Sequence, residues 1–442
     1  MAIERREILK LPFLFFGSSV VAKTQHTNTK KVPKGEMVRV VVVGGGFGGL
    51  TFAKKFKQLQ KDVEVVVIDK NEFFMTGPMF NLMLGDIDGV SYNTIIHDRV
   101  STSLKYNYNL VHAKVVEIDR EKKIVYTTKG KVAYTYLVLS PGIAYDYEGQ
   151  FSQWSKEKIA LAKKAAPAAL IPSEEFATLL HNLKQFKGGN IILSVPLGKY
   201  RCPPAPYERA CMFAHYIKKH NLNAKVIVID NYSRPVSKTE AFEEAFKELY
   251  PDVIEYYGDS TLEDVDFEKQ EVRFSFWGEG SGDDGDMIVK KYNLLNIMVN
   301  NKASEVIKMA GIATYSWGSA KLKAPTYESI SDSSIYVIGD SVGYPFPESG
   351  QMANAMGAIC AKHLAQRIEG KSITEDMPGN MCISMVDGKD AISDSHAISF
   401  DGKKFTVTPF MPYDKTTHRY RSPAITQTLF GWYDGIMGDM LD

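Results

Sequence analysis

Cysteine is scarce: the 442 residues contain four, and none lies in C-x-x-C, in C-x-x-C-H or in an array spaced for zinc. A dithiol centre built from neighbouring cysteines, a covalently attached c-type haem and a structural zinc module are thereby excluded. Surplus charge is also lacking, since 53 Lys+Arg face 52 Asp+Glu. That balance gives no basic surface for nucleic acid. No apolar run reaches the ~18 residues that span a bilayer, so stable membrane insertion is not expected. Internal repeats and low-complexity tracts are absent as well. The length suggests two or three domains with substantial cores.

What is present starts with a run of valines at residues 38–43 that ends in Gly44, Gly46 and Gly49 at G-x-G-x-x-G spacing and continues as a helix. The first glycine allows a tight turn, the second allows backbone amides to approach a pyrophosphate, and the third lets helix pack on strand. A second predicted strand, residues 63–68, ends in Asp69, about 20 residues on, where a ribose-binding carboxylate belongs. Lys70 adjoins it, and a loop through Phe73, Phe74, Met75, Thr76, Gly77 and Pro78 follows. Strands are predicted around Ala113 within residues 106–119. A hairpin is predicted from residues 123–128 and 133–139, leading into Ser140-Pro141-Gly142, where the chain returns beneath a dinucleotide. Late in the chain, a strand ending in Gly339-Asp340 precedes Ser349-Gly350 at the start of a helix reaching residue 367. Strand, Gly-Asp, loop and helix N-terminus in that order form the closing half of an FAD site. Gly44, Gly46, Gly49, Asp69, Lys70, Thr76, Ala113, Gly142, Gly339, Asp340, Ser349 and Gly350 are accordingly expected to hold FAD.

A second α/β unit is predicted between these halves, with helices at residues 173–186 and 206–220 and strands at 190–195 and 225–230. Its first strand ends in a loop with four prolines, Pro196, Pro203, Pro204 and Pro206, and no G-x-G-x-x-G. Such a loop is stiff where a phosphate cradle needs pliable amides, and Cys202 stands where a nicotinamide coenzyme is expected. Cys202 precedes a helix N-terminus, which stabilises a thiolate. Cys211 and Cys360 lie among apolar helical neighbours and read as packing residues. Cys202 and Cys382 are 180 positions apart. If bonded, they form either a structural staple, worth roughly 5 kcal/mol in the chain-entropy model, or a redox couple, which a rigid proline-flanked cysteine in a flavin fold suits better.

The first residues read separately. Arg5-Arg6 precedes a short apolar segment over residues 11–22, ending in the small-residue site Val20-Val21-Ala22. This is the pattern of a twin-arginine export signal, with a linker to residue 36 and a periplasmic destination in which disulfides persist.

The stretch Tyr200-Arg-Cys-Pro-Pro-Ala-Pro-Tyr-Glu-Arg209 resembles the flavoprotein subunit of flavocytochrome c sulfide dehydrogenase and its sulfide:quinone oxidoreductase relatives. So do Asp69, Thr326-Tyr-Glu-Ser, Val337-Ile-Gly-Asp340, the Ser-Gly-x-x-Ala-Asn pattern from Ser349 to Asn354, Cys382 and Trp432-Tyr433. The resemblance implies an α/β fold of two Rossmann-like three-layer domains of the pyridine nucleotide-disulfide oxidoreductase type plus a C-terminal α+β domain. Its domains would be a discontinuous FAD domain (residues 37–165 and 295–370), a second unit without an NAD loop (166–294) and a C-terminal domain (371–442). It also implies that Cys202 and Cys382 form a redox-active disulfide beside the flavin, that Glu208 is the acid/base and that Trp432 walls the pocket. Sulfide would be the substrate and a c-type cytochrome the acceptor. The alternatives are a sulfide:quinone oxidoreductase and a flavin electron-relay subunit without sulfide turnover. Two positions depart from the family. Gly77 follows Thr76 where the family has the cysteine that bonds FAD covalently, so non-covalent FAD is expected. Glu348 replaces a lysine before the flavin-facing helix, which disfavours a reduced anionic flavin if the side chain points at the ring.

Overall fold

All five residues of the first strand, Arg39–Val43, are buried, as a parallel strand covered on both faces must be. The structure, a computed structural model, describes residues 38–442; the export signal and linker expected over residues 1–36 lie outside them. The strand sits at the centre of a five-stranded sheet in the order Ile335–Val337, Tyr136–Leu139, Arg39–Val43, Glu64–Asp69, Asn109–His112, parallel throughout. Two helices cross over it, Phe47–Leu59 and Gly350–Ile368. They approach so closely that a Cβ on Gly357 would stand 2.4 Å from the Gly48 carbonyl oxygen, and one on Gly350 2.9 Å from the Phe47 ring. Only glycine permits that contact. Its consequence is that two helix N-termini, from residues about 300 apart in sequence, open side by side above the sheet.

One local expectation is corrected. The hairpin closes earlier than predicted, pairing Ile124–Thr127 with Gly130–Ala133, because Gly130 adopts a left-handed φ of +127°. Tyr136–Leu139 then enters the parallel sheet. Its consecutive Leu137, Val138 and Leu139 are all fully buried, and such an unbroken apolar run fits a strand covered on both faces better than an alternating hairpin arm.

The second unit repeats the theme with the parallel order Ile254–Tyr257, Ala224–Asp230, Gly189–Val195, Leu294–Ile297. Helix Glu174–Gln185 is capped by the Ser173 hydroxyl, which accepts from Glu175 N at 3.3 Å. Helix Ala205–Lys219 follows the proline-rich loop and is buried along nearly its whole length. After residue 370 the chain forms an antiparallel sheet, Asn380–Met385, Ala391–Phe400 and Phe405–Phe410. The C-terminal helix, Pro423–Leu441, buries Leu429, Tyr433, Ile436, Met437 and Met440, one helical stripe that packs into the core. No helix among the described residues is long and apolar enough to cross a membrane. Strand Asn380–Met385 packs against both the proline-capped helix and Gly350–Ile368, which carries the late Cys382 to the early Cys202.

Candidate active site

The three glycines behave as their spacing predicts. Gly44 has φ +105°, and a Cβ there would lie 2.1 Å from Ser140 O. A Cβ on Gly49 would lie 1.9 Å from Gly44 O, so helix packs on strand without a side chain between. At Gly46 nothing lies within 4 Å of the Cβ position, and no side chain caps the helix that starts there. The result is an open cradle of free amides at a helix N-terminus, suited to a pyrophosphate. Asp69 stands at its rim, where its Oδ2 accepts from Gly45 N at 2.5 Å and lies 3.5 Å from Arg99. Across the sheet, Gly142 has φ +68° and its carbonyl accepts from Ser341 Oγ, tying the Pro-Gly turn to the Gly339–Ser341 turn. Asp340 is buried there, 3.4 Å from Arg201 Nε, and burial raises its carboxyl to about 6. Ser349 caps the flavin-side helix by accepting from Met352 N at 3.0 Å. An open amide cradle, a ribose-end carboxylate and a second buried carboxylate at the far helix N-terminus match the parts that FAD requires.

Beside that second N-terminus lies a cavity of about 80 Å³ bounded by Gly77, Cys202, Glu208, Gly350, Cys382 and Trp432 among others. Three separate devices deliver the chemistry. Cys202 has a left-handed φ of +58°, a strained conformation for a residue with a Cβ, of the kind found at functional sites. Its carbonyl accepts from Ala205 N at 2.8 Å, which starts the helix. Glu208 lies in that helix's first turn and points inward. Cys382 arrives on a sheet strand.

The two cysteines stand side by side as free thiols in this structure. Cys202 is raised well above the ordinary thiol range by its hydrogen bond to Cys382 and by burial. Cys382 is lowered by accepting that hydrogen bond, with help from the Lys238 ammonium. Glu208 is 6 % exposed and burial lifts its carboxyl to about 7. Its oxygens accept from Asn81 Nδ2 and from Met385 N, each at 2.8 Å. Asn81 is itself oriented by Arg209, whose Nε donates to the Asn81 oxygen at 2.9 Å, so only its NH₂ end can face Glu208. A carboxyl poised near neutrality beside two thiols can take or give a proton at physiological pH.

Other expected site residues fall into place unevenly. Trp432 borders the cavity and donates to Gln351 Oε1 at 2.7 Å. Thr76 is fully buried and its hydroxyl pairs with Tyr433 OH at 2.8 Å, and the adjoining Gly77 lines the cavity. Lys70 is exposed and Ala113 is buried with its N–H on Asp69 O, so these two flank Asp69 through the backbone. Glu348 turns to Lys199, 2.6 Å away, and accepts from Asn301 at 3.2 Å, so a lysine of the proline-rich loop neutralises it. Cys211 and Cys360 are fully buried. Sequence reasoning missed Asn81, Arg99, Arg201, Arg209 and Lys238. Arg201 and Arg209 stood inside the quoted stretch, whereas Lys238 carries no sequence signal.

Comparison with known proteins finds the same fold. Residues 177–288 match the family model for the central region of the sulfide dehydrogenase (flavocytochrome c) flavoprotein chain, and residues 38–164 match pyridine nucleotide-disulphide oxidoreductase. The mitochondrial sulfide:quinone oxidoreductase of Schizosaccharomyces pombe is 22 % identical over 79 % of this chain and 78 % of its own. That of Dictyostelium discoideum is 22 % identical over 95 % and 90 %. Among solved structures, the sulfide:quinone oxidoreductase of Aquifex aeolicus superimposes with a TM-score of 0.70 at 17 % identity, covering 91 % of each chain. A NAD-dependent persulfide reductase from A. fulgidus does so at 0.63 and 14 %, covering 91 % of this chain and 77 % of that one.

Proposed function

We propose that this chain, which has the pyridine nucleotide-disulfide oxidoreductase fold and is similar to the sulfide:quinone oxidoreductases, is a flavoprotein that oxidises sulfide at the Cys202 and Cys382 pair and hands the electrons to a c-type cytochrome. The observation that carries this reading is the convergence of two cysteines 180 positions apart on one cavity that also holds Glu208, whose carboxyl burial pushes up to about 7. In the oxidised couple, hydrosulfide attacks one cysteine sulfur. A new S–S bond forms, the Cys202 to Cys382 bond breaks, and the products are a cysteine persulfide and a thiolate. Glu208 takes the released proton, and Asn81 and Met385 N–H hold its carboxylate in place.

FAD would be held by the uncapped helix N-terminal amides from Gly46 to Gly48, by Asp69 at the ribose end and by Asp340 and the Ser349-capped helix at the ring end; when bound it supplies the two-electron acceptor for the thiol pair. The attachment is non-covalent, since Gly77 offers no sulfur where it faces the cavity. The twin-arginine pattern in residues 1–22 supports a periplasmic setting. The match to the flavocytochrome c central region favours the cytochrome. The sulfide:quinone oxidoreductases that match over most of their length favour quinone as the second reading. Stopped-flow reduction of the bound flavin by sulfide tests the core claim. Cys382→Ser should bind FAD and lose the reduction, whereas Cys211→Ser should keep most of it. Wild-type rates in Cys382→Ser would overturn the cysteine mechanism, and no reduction in the wild type would leave an electron-relay subunit.

A further inference from the structure

A buried ammonium with too few partners lies behind the cysteine strand. The Lys238 side chain has no exposed surface. Its Nζ donates one hydrogen bond, to Ser384 Oγ at 2.9 Å. The nearest carboxylate oxygen, Asp394 Oδ1, is 3.7 Å away, beyond hydrogen-bond range, and is itself without a hydrogen-bond partner. An ammonium in a dry interior is costly unless paired and fully hydrogen-bonded, so this one is under-satisfied by its visible neighbours.

The strand geometry locates what it faces. Side chains two apart on a strand share a face, so Cys382 stands beside Ser384, the residue that Lys238 grips. Cys382 is also the direct register partner of Asp394 on the adjacent strand. Lys238 Nζ therefore bridges the two flanks of Cys382.

The charges nearby point the same way. From the helix side come Glu208 and Arg209, from the loop Cys202 and Arg201, and from the sheet Asp394. Arg209 is fully buried, and its hydrogen bonds go to neutral acceptors, the oxygens of Ala168, Ala169, Asn81 and Asn296 and the Met298 sulfur. Arg201 is already matched by Asp340. Asp394, the one carboxylate within 4 Å of the Lys238 ammonium among the described residues, makes no hydrogen bond to it, and a sulfur anion at Cys382 completes its surroundings.

We propose that Lys238 is the counter-ion of Cys382, a positioning residue that keeps this sulfur anionic, as thiolate or as persulfide, inside the cavity. The proposal rests on the cysteine chemistry proposed above but is tested without sulfide. In flavin-loaded protein reduced with a phosphine, the rate of Cys382 carboxamidomethylation by iodoacetamide is followed by peptide mass spectrometry from pH 5 to 10. Cys382 borders the cavity and is partly exposed, so the reagent can reach it.

Wild type should show a midpoint below the ordinary thiol value of about 8.5. Lys238→Met should raise it by about one pH unit or more, a roughly tenfold slower reaction at pH 7, and Lys238→Arg should restore it in large part. An unchanged midpoint in a flavin-retaining Lys238→Met overturns the proposal. Should Lys238→Met not fold, Asp394→Asn decides: removal of the opposing charge should lower the midpoint, and a raised or unmoved value refutes the counter-ion role. If sulfide failed to reduce the flavin while these midpoints moved as stated, the function would fall and the counter-ion would stand.

Discussion

Replacing Glu208 by glutamine should make the stability difference from wild type depend on pH, in a direction fixed by burial. The Glu208 carboxyl lies at about 7 in the fold against an ordinary 4.5, and burial is the chief cause. Below pH 4.5 it is protonated in both folded and unfolded chains and contributes no pH-dependent term. Between 4.5 and 7 the unfolded chain ionises and the folded one does not, so wild-type stability falls as pH rises; above 7 the full penalty is present. At 1.36 kcal/mol per pH unit the penalty is roughly 3 kcal/mol. Glutamine has no such titration. It brings a fixed cost instead, because both carboxylate oxygens accept N–H bonds, from Asn81 and from Met385. The NH₂ end of glutamine can accept neither, and one donor left unsatisfied costs about 1–3 kcal/mol. Glu208→Gln should therefore be less stable than wild type at pH 5 and equal to it or more stable at pH 8.5. Guanidinium unfolding of the flavin-loaded proteins at those two pH values measures this directly. In stopped-flow work, flavin reduction by sulfide should slow by about 10²–10⁴-fold, the usual worth of a general acid/base, and any bend in its pH profile near 7 should vanish. A stability difference that is the same at both pH values would refute the assignment of a buried, raised carboxyl at this position.

Two further outcomes test the cradle and the missing coenzyme loop. Gly49→Ala places a Cβ 1.9 Å from the Gly44 carbonyl oxygen, so the purified variant should lose most of its flavin, read as the ratio of absorbance at 450 and 280 nm; full flavin content would refute the close helix-strand packing. NADH and NADPH should not reduce the flavin at catalytic rates. The loop amides that would hold a pyrophosphate are already used, Leu197 N by Asn231 Oδ1 at 2.9 Å and Gly198 N by Tyr232 OH at 3.0 Å, and rapid bleaching by either coenzyme would show that the loop can open.

Much of the scaffold could be read directly from the chain, because its signals are local. The valine run, the spacing of Gly44, Gly46 and Gly49, and the Gly339-Asp340 turn ahead of a helix each describe backbone needs met within a few residues. The helix boundaries at 205–219 and 350–368 follow from caps and periodicity for the same reason. Tyr136–Leu139 went astray because a short apolar run does not reveal whether one face or both will be covered. The direction of the Thr76 side chain was not legible, because in an irregular loop it depends on its partner, here Tyr433 on a helix at the far end of the chain.

The proline-rich stretch offered Cys202 and Glu208 as candidates, but their surroundings depend on residues that lie far away in sequence. The carboxyl of Glu208 is raised because tertiary packing removes its water, and Asn81, 127 positions away, holds it. Glu348 alone reads as an unfavourable charge beside a flavin; folding gives it Lys199. Lys238 is an ordinary loop lysine until the C-terminal sheet closes over it. The sequence by itself determined which backbone turns and helix ends could cradle a dinucleotide, since those demands are local and steric. Only the tertiary structure decided which charges share a dry cavity, because desolvation and Coulomb interaction act through space and leave no spacing in the chain.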